Sequence, residues 1–204
     1  MEIKVNYNES RFKTKQRNYI LSVAYKLFVK KGIENVTMQE IAQVCDIERR
    51  SLYNYYNDKD QIAFDIAKCF LSSIEEISAI KDRTFENKFE EIKALVYAFY
   101  DYAISDPDAI KFSLHFDHYF GNNEQYTSYL RKAIDNILHD TLIKEGIEDG
   151  SINPSFKGNE KNICFVIQGA MLSFAQRSIF KTALEEAKVD LKLLLDVFLS
   201  SIKA

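Results

Sequence analysis

A chain of 204 residues, 47% apolar and 28% charged, has the length for one generous core or two small ones and the balance of an ordinary folded protein. Only 2 Pro and 6 Gly argue against a strand-and-turn architecture, because turns consume both residue types, and favour long helices with few connections. The net charge of −3 leaves one stretch able to attract an anionic polymer: residues 1–60 hold eleven Lys and Arg against eight Asp and Glu, while the remainder is acidic.

Residues 1–10 lack periodicity and read as a loose arm. From Lys13 to Lys31, Ile20, Val23, Ala24, Leu27 and Phe28 recur at helical spacing, and Gly32 closes the segment as a C-cap. Thr37 and Glu40 form a capping box with Val36 and Ile41 as its hydrophobic staple, which starts a second helix that stops near Cys45 and Asp46. A third, roughly Glu48 to Tyr56, follows a turn of about three residues. Asp58 and Gln61 make a second box and open a long fourth helix through Ile62, Ile66, Phe70, Ile74 and Ile77. Phe85, Phe89, Ile92, Val96, Phe99 and Ala103 form the next stripe, ended at Ser105–Pro107, and a short helix carries Ile110, Leu114 and His118. Tyr126, Leu130, Ala133, Ile137 and Thr141 predict one more helix up to Gly146, followed by a loop over residues 146–155. Two final helices are expected from Glu160 to Lys181 and from Leu184 to Ile202.

Two short helices across a tight turn, braced by another, make the helix-turn-helix plan, in which the second helix enters the major groove of DNA. A wheel of about 100° per residue puts Leu52 and Tyr56 inward, with Ile47 nearby, and Arg50, Tyr53 and Asn54 on the opposite face. Ser51 lies at that face's edge, and Arg49 and Tyr55 flank the buried side. Arg can pair with guanine O6 and N7 and Asn with adenine N6 and N7, while Tyr and Ser hydroxyls suit phosphate oxygens. Thr37 and Lys59, each at a helix N-terminus, are candidate phosphate contacts.

The run "TMQEIAQVCDIERRSLYNYYNDKDQI" resembles the DNA-binding signature of the TetR family of bacterial transcriptional regulators, over about fifty residues. Thr37, Ile41-Ala42, Ser51-Leu52-Tyr53, Tyr55-Tyr56 and Lys59 carry the likeness. It departs at Asp46, where the family often has Gly, and at Glu48, where it often has a Ser or Thr cap. The resemblance implies an all-α protein of about nine helices, with a three-helix DNA-binding domain at 1–57 and a larger helical effector-binding and dimerisation domain at 58–204. It implies a homodimer, a double-stranded DNA operator and a small-molecule effector as partners.

In the larger part, the helix from Glu160 is apolar almost all round, which demands burial on both sides. Gly169 and Ser173 would admit a close helix, so Ile163, Ile167, Gly169 and Ser173, with Leu191, Leu195, Phe198 and Ile202 of the last helix, are the expected dimer interface. Phe99, Tyr102, Phe112, His115, Phe116, Tyr119, Phe165 and Gln168 are candidates to line an apolar effector cavity, although aromatics at helical spacing also make plain core. His115 and His118 lie three apart with Asp117 between them, but the one further His, His139, is about six turns on and no Cys is near, which is too few ligands for a metal site. There is no phosphate-cradling Gly loop, GxSxG or other catalytic constellation, so neither cofactor, metal nor enzymatic activity is expected. The scattered Cys45, Cys69 and Cys164 suit packed thiols in a cytoplasmic protein, and the uncharged run Asn162–Gln176 is too short to span a membrane. A helical protein–protein adaptor and a small helical enzyme stay open as alternatives.

Overall fold

The computed structural model describes residues 3, 5, 7–78, 83–121, 123, 138–179 and 190–204. Among them the regular structure is helical, with one isolated bridge between Ile152 and Lys203. In chain order the helices are α1 (Arg11–Lys31), α2 (Met38–Val44), α3 (Arg49–Tyr53), α4 (Lys59–Ser78), α5 (Lys88–Ser105), α6 (Pro107–Phe120), α7 (Asp140–Glu148), α8 (Glu160–Ser178) and α9 (Leu191–Ser200), with a short 3₁₀ turn at Pro154–Phe156. None of the described helices is long and apolar enough to cross a membrane. The expected stripe at Tyr126–Ile137 and the stretch Leu184–Val189 lie outside the described residues. Thr141 belongs to α7, whose N-cap is His139.

The chain forms two compact units, Met1–Ser73 with Asp108–Thr127, and Ile74–Pro107 with Ser128–Ala204. In the first, α1 is capped by Ser10 and ends at Gly32, whose N–H donates to the Phe28 carbonyl at 2.9 Å with φ 81°. Its inner face buries Ile20, Leu21, Ala24 and Phe28. Leu52, Tyr56, Ile62 and Ile66 are also buried in this unit, each at most 1% exposed. The rings of Phe112, Phe116 and Phe120 on α6 close against Tyr25 and Phe64, with centroids 4.5–5.7 Å apart. That is solid aromatic packing, in the edge-on and tilted arrangements such rings favour.

The turn between α2 and α3 has a definite geometry. Beyond α2, the Asp46 N–H donates to Gln43 O at 3.2 Å and the Ile47 N–H to Ala42 O at 3.0 Å, the paired bonds of a Schellman motif. This motif needs a left-handed residue, and Asp46 fills the place with φ 54°. A Cβ there is strained, though Asp bears it better than most.

In the second unit, α8 packs on α5, α7 and α9. Cys164, Ile167, Met171 and Ala175 turn inward at helical spacing and are at most 6% exposed. The N-terminus of α5 is tied to the end of α7 by Lys88 N to Asp149 Oδ2 at 2.8 Å and Phe89 N to Ser151 Oγ at 3.1 Å. Within the single chain α8 is covered on one side, and the other side, expected to need a second body, is open. Phe165, Val166 and Leu172 lie on its outer face, with Phe165 75% exposed, and Gly169 and Ser173 share that exposed side. On α9 the exposed residues are Leu193, Leu194 and Val197, whereas Leu191 and Leu195, and Ile202 just beyond the helix, face inward.

Replacing Asp46 by Gly removes the Cβ strain at a position that already has positive φ, so Asp46→Gly is expected to stabilise the fold by about 0.5–1 kcal/mol, read from urea or thermal unfolding. Asp46→Val, with its branched Cβ, is expected to destabilise it.

Candidate nucleic-acid interface

The start of α2 is built as the sequence requires: the Glu40 N–H donates to Thr37 Oγ1 at 3.1 Å. The reciprocal arm of the box is diverted, because the Glu40 carboxylate accepts instead from the Lys31 ammonium. Thr37 stays exposed, with its hydroxyl proton free of the cap. Val36 and Ile41 are both buried, as the staple demands.

The recognition helix α3 is shorter than the segment Glu48–Tyr56 expected from the sequence. It spans Arg49–Tyr53, and Glu48 at its N-cap makes no side-chain capping bond, in keeping with the poor capping of a long carboxylate side chain. Leu52 at 0% and Tyr56 at 1% exposure fix the buried face. Arg49, Arg50, Tyr53 and Asn54 are exposed, with Ser51 and Tyr55 half-buried. The wheel therefore separates the faces correctly, and the structure adds one pairing that the wheel did not foresee. Arg49 Nη2 donates to Tyr53 Oη at 3.1 Å and its guanidinium lies 5.6 Å from that ring's centroid. The pair presents one donor-rich, partly ordered surface beside Arg50.

Lys59 is a different case. Its ammonium donates to the carbonyls of Ile33 at 2.7 Å, Glu34 at 3.0 Å and Val36 at 3.1 Å, and it stands 5.1 Å from the Tyr119 ring centroid. An ammonium has three N–H donors, and all are taken. Lys59 is thus a clamp on the loop between α1 and α2, and the free phosphate contact expected from its place at a helix N-terminus is corrected. Tyr119 itself donates to Asp60 Oδ1 at 3.1 Å.

A cluster that periodicity could not reveal lies behind α3. The described residues of the arm are held to the head: Ile3 is buried, Val5 N donates to Asn18 Oδ1 at 3.0 Å, and the Tyr7 hydroxyl meets Tyr56 Oη at 2.8 Å and Asp65 Oδ2 at 2.5 Å. Arg17 pairs with Glu9 at 3.0 Å and donates to the carbonyl of Tyr55. Burial pushes the Tyr56 phenol up to about 12, and burial with the Asp65 bond raises that of Tyr7 further still. Asp65 is 5% exposed. The one sequence signal for this cluster was a lone acid within the apolar run "IAFDIAKCF".

The proposed effector residues divide between the two units. Phe112, His115, Phe116 and Tyr119 belong to the first unit, where Phe112 and Phe116 are core. Phe99, Tyr102, Phe165 and Gln168 belong to the second, where Gln168 donates to the Leu138 carbonyl at 2.9 Å. Phe165 faces outward rather than into any cavity. Of the expected interface, Ile167, Leu191, Leu195 and Ile202 are spent inside the unit, Ile163 and Phe198 are half-buried, and Gly169 and Ser173 remain on the open side.

A three-helix head with a tight left-handed turn and a polar outward helix is the architecture of a helix-turn-helix DNA-binding protein. Residues 20–66 match the family described as bacterial regulatory proteins, tetR family. Over those residues the head is similar to the DNA-binding domain of that family. The HTH-type transcriptional regulator SAB2452 of Staphylococcus aureus is 32% identical over 78 residues, covering 38% of this chain and 42% of that protein. The alignment thus spans less than half the length of this curated relative. The fold is similar to that of the ketosteroid transcriptional regulator KstR2 of Mycobacterium tuberculosis, with TM-score 0.71 and 17% identity over 99% of each chain. It is also similar to that of NalD, described as the secondary repressor of the MexAB-OprM multidrug efflux pump in Pseudomonas aeruginosa, with TM-score 0.69, 12% identity and coverage of 94% and 98%.

Because Lys59 holds carbonyls, Lys59→Met is expected to lower stability by about 1–2 kcal/mol, the scale of charge-assisted bonds at a partly exposed site. The slope of DNA affinity against salt should stay unchanged, since no phosphate contact is lost. Thermal unfolding and a salt titration of duplex binding check the two halves.

Proposed function

We propose that the chain is a transcriptional regulator of the TetR type that works as a homodimeric repressor in the cytoplasm. Residues 1–57 read an operator, and residues 58–204 dimerise and take a small-molecule effector. The effector would shift the population between arrangements of the two heads, which requires that it bind one arrangement better than the other. The observation that carries this reading is the outward face of α3, where Arg50, Tyr53 and Asn54 stand exposed beside the Arg49–Tyr53 pair. Arg50 and Asn54 supply base-edge chemistry, and Thr37, Ser51, Tyr53 and Tyr55 supply hydroxyls for phosphates.

The open apolar face of α8 and α9 supports the dimer. Phe165, Val166, Leu172, Leu193, Leu194 and Val197 are all more than a third exposed. Gly169 lies among them, and a Cβ built on it meets nothing within 4 Å. A glycine that costs helix stability and relieves no contact inside its own chain suits close approach by a second body. Two copies would also supply the two recognition helices that successive major grooves, about 34 Å apart, require.

Arg50→Ala is expected to cost about 1–3 kcal/mol of operator affinity and to relax discrimination at one base position, measured by binding to single-base variants of a selected duplex. Equal losses on every sequence would assign Arg50 to a phosphate instead. For the interface, Gly169→Leu should raise helix propensity by about 0.8–1 kcal/mol while obstructing the second copy, so sedimentation should move from dimer to monomer without loss of helicity. A wild-type protein that sediments as a monomer would contradict the dimer.

A further inference from the structure

The cluster of Tyr7, Glu9, Arg17 and Asp65 has no part in the contacts proposed above, yet it touches the recognition segment directly. The Tyr55 carbonyl, which accepts from Arg17, lies two residues beyond the end of α3, and Tyr56, which meets the Tyr7 hydroxyl, follows it. A five-residue helix leaves most of its carbonyls without internal partners, so its direction depends on what holds its ends.

Arg17 is suited to holding and poorly suited to touching DNA. Its guanidinium lies 4.9 Å from the Tyr7 ring centroid, 5.0 Å from Tyr56 and 5.9 Å from Tyr55. Its charge is matched by Glu9, and the side chain is 19% exposed. The planar fork thus bridges the arm, through Glu9, to the end of the recognition segment. Tyr7 extends the bridge to α4, where Asp65 accepts its hydrogen bond and is itself paired with Lys68 at 2.7 Å.

We propose that Arg17, backed by Tyr7 and Asp65, is a positioning residue for the recognition helix: the N-terminal arm is a strap that sets the angle at which Arg50 and Asn54 meet the bases. This rests on the DNA-binding reading of α3. A strap of this kind makes specificity depend on residues that lie outside the helix-turn-helix and contact no nucleotide. It also predicts that charge alone at position 17 is insufficient, because an ammonium can neither stack between the rings nor reproduce the fork.

The test uses the full chain with Arg17→Lys and Tyr7→Phe. Two quantities are measured: amide hydrogen exchange at Asn54, Tyr55 and Tyr56, and affinity for a duplex selected from a random pool against a random duplex over a range of salt. Arg17→Lys is expected to speed exchange at Tyr55 and Tyr56 and to weaken the selected duplex about tenfold, the loss typical of one charge-assisted bond. Binding to the random duplex and the salt slope should hold, because no phosphate contact is removed. Tyr7→Phe, which keeps the ring and loses the hydroxyl, should shift both quantities in the same direction by a smaller factor.

Retention of selective binding by Arg17→Lys, with a salt slope reduced by about one in an Arg17→Gln control, would make Arg17 a phosphate contact and overturn the proposal. Unchanged exchange at Tyr55 and Tyr56 overturns it whether or not the chain binds DNA. Failure of the wild-type chain to bind any duplex, with exchange altered as expected, would instead overturn the DNA-binding reading.

Discussion

A helix of five residues cannot hold itself. Nucleation fixes several backbone dihedrals for each hydrogen bond gained, so α3 in isolation would not form. Its existence and its direction are imposed by the rest of the head. Leu52 and Tyr56 anchor it from below, and the Asp46 turn delivers the chain to its first residue. Arg17 and Tyr7 hold its far end. The exposed face can then consist of polar side chains that contribute little to folding, which leaves Arg50, Tyr53 and Asn54 available for the recognition proposed above.

The same logic explains why charged groups in the head are engaged within it. The Lys59 ammonium binds three carbonyls beyond α1, and Glu40, expected to close the capping box, pairs with Lys31. In a small unit with short helices, the orphan groups at helix ends are a large share of all polar atoms, and long cations reach them readily. The modest positive excess of residues 1–60 is therefore not all available to phosphates.

Local features were legible in the sequence because their causes are local. The caps at Thr37 and Asp58 follow from side-chain reach over three residues, and the division of α3 follows from the helical period. What escaped were contacts between residues far apart in the chain. Tyr7 meets Asp65 across 58 positions, and no period announces such a pair. The assignment of residues to the two sides of α8 escaped for a related reason: an all-apolar helix signals two sides to cover, but not which residues pack on the chain itself. Ile167 packs inside while Phe165 stays outside, and either assignment satisfies the pattern.

The function proposed for this chain requires that a short helix, strapped from behind, read DNA as one of a pair. Selection of bound duplexes from a random pool with the full-length protein tests it most directly. The expected result is enrichment of an inverted repeat whose half-sites are centred about one helical turn, ~34 Å, apart or a multiple of it, with binding that falls steeply as salt rises. A pool in which no sequence is enriched, bound with little dependence on salt, would contradict it.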